Sequence, residues 1–178
     1  MYAAISQSDL QPDSQGEAPP KLQRLNGAAR VGFAGPESRL TELYQGNPCR
    51  VLLPRRSKGP VEAVLLNTAG GITDGDELSY SVEATGGAHV LVTTQAAERV
   101  YQSRGADASV HSHLNLHDGS VLEWLPQETI LFNRGALARK THITMDVDSR
   151  LLAMDWLILG RLARGETLQD ASVHDQWR

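Results

Sequence analysis

The chain has 178 residues, 40% apolar but only 5% aromatic, enough for one core built mainly from Leu, Val, Ile and Ala. Its 17 Lys and Arg stand against 21 Asp and Glu, a net charge of −4 with both signs interspersed, which argues against a nucleic-acid partner. A single cysteine, Cys49, excludes an internal disulfide and a thiolate cluster.

Residues 1–23 are polar, carry little to bury, and read as a disordered tail ahead of one domain over residues 24–178. The first residues have neither a basic n-region nor an apolar h-region of a secretory signal. The longest apolar run, Leu151–Leu159, is broken by Asp155 and is too short to cross a bilayer. A cytoplasmic location with no membrane partner is the expectation.

From Ala28 onward, short apolar or alternating runs predict strands over Ala29–Ala34, Arg50–Leu53, Val61–Leu66, Leu78–Ala84 and His89–Thr94. They continue over Ala108–Leu116, Val121–Leu125, Thr129–Phe132, His142–Val147 and Leu151–Leu159. Turn signals separate them: Gly35-Pro36, Gly59-Pro60, Gly70-Gly71, Gly86-Gly87, Asp118-Gly119 and Asn133-Arg134-Gly135. A strand and turn about every ten residues marks an all-β sandwich, barrel or solenoid. Gln95–Arg104 and Leu151–Glu166 have a pattern that also suits a helix.

Leu65–Asp76, LLNTAGGITDGD, runs an apolar strand into a Gly-rich loop tipped by Asp74 and Asp76. The loop is neither a P-loop nor a Gly-x-Gly-x-x-Gly fingerprint, and its carboxylates would repel phosphates. Two histidines, His111 and His113, share one face of a strand after Gly105, which is the opening of a cupin metal motif. The motif then lapses, because His117 and Asp118 stand where its glutamate should fall. A cupin-like metal-dependent enzyme using His111 and His113 is the alternative reading. Asp76, Glu98, Glu123, Glu128 and Asp155 lie within or beside apolar strands, where a charge must be paired or face water. For Asp155 the pairing candidates are Arg161, Arg164 and Arg99; a hydrated passage or a weak cation site is the other reading. No nucleophile-and-base motif stands out.

Leu66–Asp76, Thr93–Tyr101 and Leu122–Thr129, followed by Leu151–Glu166, together resemble the urease accessory protein family UreD, also called UreH. The likeness runs from about Ala28 to Arg178. It implies stacked, parallel and mixed β-sheets in an irregular β-helix with few helices. It also implies a non-catalytic scaffold in urease maturation that binds the urease apoprotein and a UreF-like partner, which carries a UreG-like GTPase. No tightly bound cofactor is implied, only transient Ni²⁺ passing through a tunnel. Asp76, Glu98 and Asp155 match the positions expected to line that metal path. Chains of this family usually continue for about another hundred residues past the Gly165-Glu166 block, so a sheet edge left open after Arg178 is expected.

Overall fold

The computed structural model describes residues 23–55 and 58–178. Among the described residues, fourteen strands account for nearly all of the regular structure, with one turn of 3-10 helix at Leu162–Arg164. The tail expected over residues 1–23 lies, except for Gln23, outside the described residues. Among the described residues no helix is long and apolar enough to cross a membrane.

The chain winds through three sheets in turn. Strands β5 (Glu77–Thr85), β6 (His89–Thr94) and β7 (Glu98–Val100) make one coil, one strand per sheet. Strands β8 (Ala108–Leu116), β9 (Val121–Trp124) and β10 (Thr129–Leu131) make the next. Strands β11 (Ala136–Met145), β12 (Arg150–Ala153) and β13 (Leu157–Leu159) make the third, and β14 (Ser172–Trp177) returns to the first sheet. Each strand pairs in parallel register with its counterpart in the coil before it: Ser79 with His111, His111 with Lys140, Leu122 with Leu151, Glu98 with Thr129. This is the stacked, β-helix-like architecture that the resemblance implies.

The stack opens with a partly antiparallel coil. β1 (Asn26–Ala34) lies parallel to β5 and antiparallel to β2 (Arg39–Gln45), while β3 (Cys49–Leu52) lies antiparallel to β4 (Val61–Asn67). The Gly-rich loop closes this coil on the third side, where Ile72 bridges Val100 of β7. Gly71 (φ 147°) makes the approach possible: a Cβ there would lie 2.3 Å from the Tyr101 ring and 2.8 Å from the Arg99 carbonyl oxygen.

Alternation along each strand sends one set of residues into the centre. Phe33, Leu65, Ile72, Leu78, Leu114, Leu122, Leu131 and Leu137 are buried there, and Ala and Val fill the spaces between them. Sparse aromatics are thus no handicap, since the three sheets stand close enough for aliphatic side chains to meet across the axis.

Several elements differ from the sequence expectations. Gln95–Arg104 is not helical: it is a corner followed by β7. Leu151–Leu159 is two strands, β12 and β13, divided at the corner holding Asp155. β11 starts at Ala136 rather than His142, because Arg139 occupies an inward position and breaks the apolar alternation. β2 had no predicted counterpart, since every residue in it is exposed.

Candidate functional site: an internal cavity lined by Glu98 and Asp155

A cavity of about 260 Å³ lies inside the stack, where the coils of β4, β7, β10 and β11 leave the centre incompletely filled. Its walls include Leu65, Tyr80, Val110 and Trp124, and it reaches the surface beside the exposed corner residues Gln95 and Gln127. Glu98 and Asp155 both line it; Asp76 is not among its lining residues.

Glu98 opens β7 and is half-buried. The Asn67 amide donates to both its oxygens, at 3.3 and 3.1 Å, and the Arg99 backbone N–H donates at 3.1 Å. Burial pushes its pKa up, outweighing the help from the Asn67 and Arg99 bonds and the nearby Arg99 charge. The buried Cys49 thiol and the Tyr80 hydroxyl lie close to each other. Burial raises both pKa values, so the pair is neutral.

The raised Glu98 pKa has a testable sign. The folded chain holds this proton to higher pH than the unfolded chain does. Unfolding free energy should therefore fall as pH rises through a window above the ordinary glutamate value of about 4.3. Glu98→Gln should flatten that part of the stability curve, read from urea unfolding at stepped pH.

Thr129 of β10 sits in register with Glu98, one coil along. Its hydroxyl accepts from Arg139 Nη1 at 3.3 Å, and the same nitrogen donates to Asp155 Oδ1 at 2.7 Å. Arg139 Nη2 donates to Asp175 of β14, its register partner. Polar groups thus recur from the opening coil to β14: Asn67 and Glu98, then Thr129, then Arg139, Asp155 and Asp175. Burial works against the Arg139 charge, but the two carboxylates outweigh it and hold the guanidinium pKa up. The Asp155 carboxyl is also pushed up, by burial that exceeds the pull of Arg139 and by the Asp175 charge.

Two buried donors of lining residues, Trp124 Nε1 and Arg139 Nε, have no acceptor among the described residues. A buried N–H without an acceptor costs about 1–3 kcal/mol.

The ion pair of Asp155 is not one of those expected from the sequence. Its partner is Arg139, a strand residue of the same coil, while Arg161 pairs with Glu166 at 2.9 Å. Asp76 is buried at 3% exposure and acts within the loop. One carboxylate oxygen accepts the Leu25 N–H at 2.9 Å and the other the Thr73 N–H at 2.8 Å. Asp74 is tied to Arg24 at 3.2 Å and to the Ala106 N–H at 2.9 Å. The two loop aspartates therefore hold the Gly-rich segment onto the stack.

His111 and His113 point outward from β8, away from the cavity. A cupin is an antiparallel jelly roll, whereas this chain stacks parallel coils, so the metalloenzyme alternative finds no support in the fold. Among the described residues, no group of three or more His, Cys, Asp and Glu comes together as a metal cage. Arg139 is the functional candidate that sequence reasoning missed. The inward alternation of Leu137, Arg139 and Thr141 was the available signal.

Comparison with known proteins agrees with the fold. Residues 25–178 match the family model described as UreD urease accessory protein. The chain is 42% identical over 159 residues to urease accessory protein UreD of Brucella suis, covering 88% of this chain and 57% of the relative. It is 42% identical to UreD 1 of Brucella ovis over the same shares. Urease accessory protein UreD of Chelativorans sp. is 41% identical over 163 residues, covering 90% of this chain and 59% of that protein. The chain thus spans less than two thirds of the length of these relatives. It belongs to the UreD family of urease accessory proteins.

Proposed function

We propose that this chain serves urease maturation as a non-catalytic scaffold, and that its internal cavity is a stretch of the path along which nickel reaches the urease active site. The observation that carries this reading is the meeting of Glu98 and Asp155 in one cavity whose walls hold further polar groups. Carboxylates, an amide and water are hard, exchangeable ligands, suited to passing Ni²⁺ on rather than trapping it. In this reading the partners are the urease apoprotein and a UreF-like protein that brings a UreG-like GTPase, and the setting is the cytoplasm. Glu98 and Asp155 touch the cargo. Asp76, whose oxygens serve backbone N–H groups, contributes by shaping the loop above Glu98.

The test is co-expression of the full set of urease and accessory proteins with Glu98→Gln or Asp155→Asn in this chain. The complex should still co-purify, while urease nickel content and activity fall by roughly tenfold, the scale on which changes around a metal site act. Normal nickel loading in both variants would sink the proposal.

A further inference from the structure

The outer face of the six-stranded sheet carries a histidine pair that the nickel-path reading does not use. His113 on β8 and His142 on β11 are partners in the parallel register. Both are exposed, because the inward positions beside them belong to Ser112, Leu114 and Thr141. Their ring centroids stand 6.1 Å apart with planes tilted by 55°. Neighbouring strands are separated by about 4.8 Å, whereas residues two apart along a strand are separated by about 6.6 Å. The cross-strand pair is therefore closer than His111 and His113.

We propose that His113 and His142 form a two-imidazole site on the outer surface for a divalent cation of the Ni²⁺, Cu²⁺ or Zn²⁺ class. Imidazole suits all three ions. Bonds of about 2.0–2.1 Å from metal to nitrogen bring the two ring nitrogens to a common point. The exposed side chains can reach it by rotating χ angles, with the backbone register already set. Ser81 of β5 lies in register with His113 on its other side, and Glu83 is the next outward residue of β5. Glu83 adds negative charge to the face. Lys140, in register with His111, places a positive charge in the adjacent row and makes His111 the poorer ligand. With two protein ligands, the rest of the shell belongs to water or to a second molecule. The site is a half-site with fast exchange, separate from the cavity.

The untagged full chain, given less than one equivalent of Cu²⁺, should show an electron paramagnetic resonance spectrum with two equatorial imidazole nitrogens. His113→Ala or His142→Ala should reduce this to one nitrogen and weaken Ni²⁺ binding in titration calorimetry by at least about tenfold. His111→Ala should leave both readings as in the parent chain. All the substituted histidines lie on the surface of the sheet, and matching circular dichroism spectra would show that each variant folds. An unchanged spectrum and affinity in the His113→Ala/His142→Ala double variant overturns the assignment, as does loss of the signal in His111→Ala.

Discussion

Replacing Arg139 by methionine should lower the unfolding free energy by about 3 kcal/mol, near the lower end of what removing one partner of a buried ion pair costs. The side chain of Arg139 is 9% exposed and that of Asp155 11%, so Asp155 would lose its countercharge with little water to replace it. Asp175, with a side chain 29% exposed, is better solvated, which keeps the loss from reaching the upper end. Asp155→Asn should cost less, because an amide oxygen still accepts from Nη1. Adding Asp155→Leu to Arg139→Met should recover part of the stability by removing the stranded charge. Equilibrium urea unfolding of the three variants checks the order. Equal stability of Arg139→Met and the parent chain would mean that the ion pairs contribute nothing.

The second large effect belongs to Gly71. Gly71→Ala should destabilise by roughly 2–5 kcal/mol, combining a backbone conformation that side chains rarely adopt with overpacking against β7. Part of the clash is with the half-exposed Tyr101 ring, which can swing away. The Arg99 carbonyl oxygen cannot, since it accepts the Ile72 N–H at 2.8 Å in the bridge between loop and strand. Thermal unfolding of Gly71→Ala beside Gly70→Ala separates the two causes. Gly70 also has positive φ but open space around it, so its substitution should cost less. Similar losses at both positions would assign the effect to φ alone.

The strands visible in the sequence are those with one buried and one wet face. β5, with Leu78, Tyr80, Val82 and Ala84 inward, and β8, with Leu114 and Leu116 inward, alternate clearly and were placed nearly to the residue. β2 escaped because it is an edge strand with no buried face. The first half of β11 escaped because a buried charge stands where the alternation asks for an aliphatic side chain. No fixed period shows in the sequence, since successive coils enter the first sheet at Glu77, Ala108, Ala136 and Ser172, at unequal intervals. Strand pattern alone yields an all-β chain; the stacking came from the resemblance. At the site, Glu98 and Asp155 were visible as carboxylates in apolar surroundings. Arg139 as the partner of Asp155 was not, because pairing inside a coil depends on where the corners fall.

In-register stacking also determines which changes of length the chain can tolerate. One residue inserted within β8 would turn Ser112 and Leu114 toward solvent and His111 and His113 into the core. It would unseat the neighbouring strands on both sides at once. The same insertion at Gly86-Gly87, Asp118-Gly119 or Asn133–Gly135 lengthens a corner and leaves every facing residue where it was. Lineages carrying this fold can therefore drift in coil length at the corners while the strand interiors keep their count, and homologous chains should align by strand level rather than by residue interval.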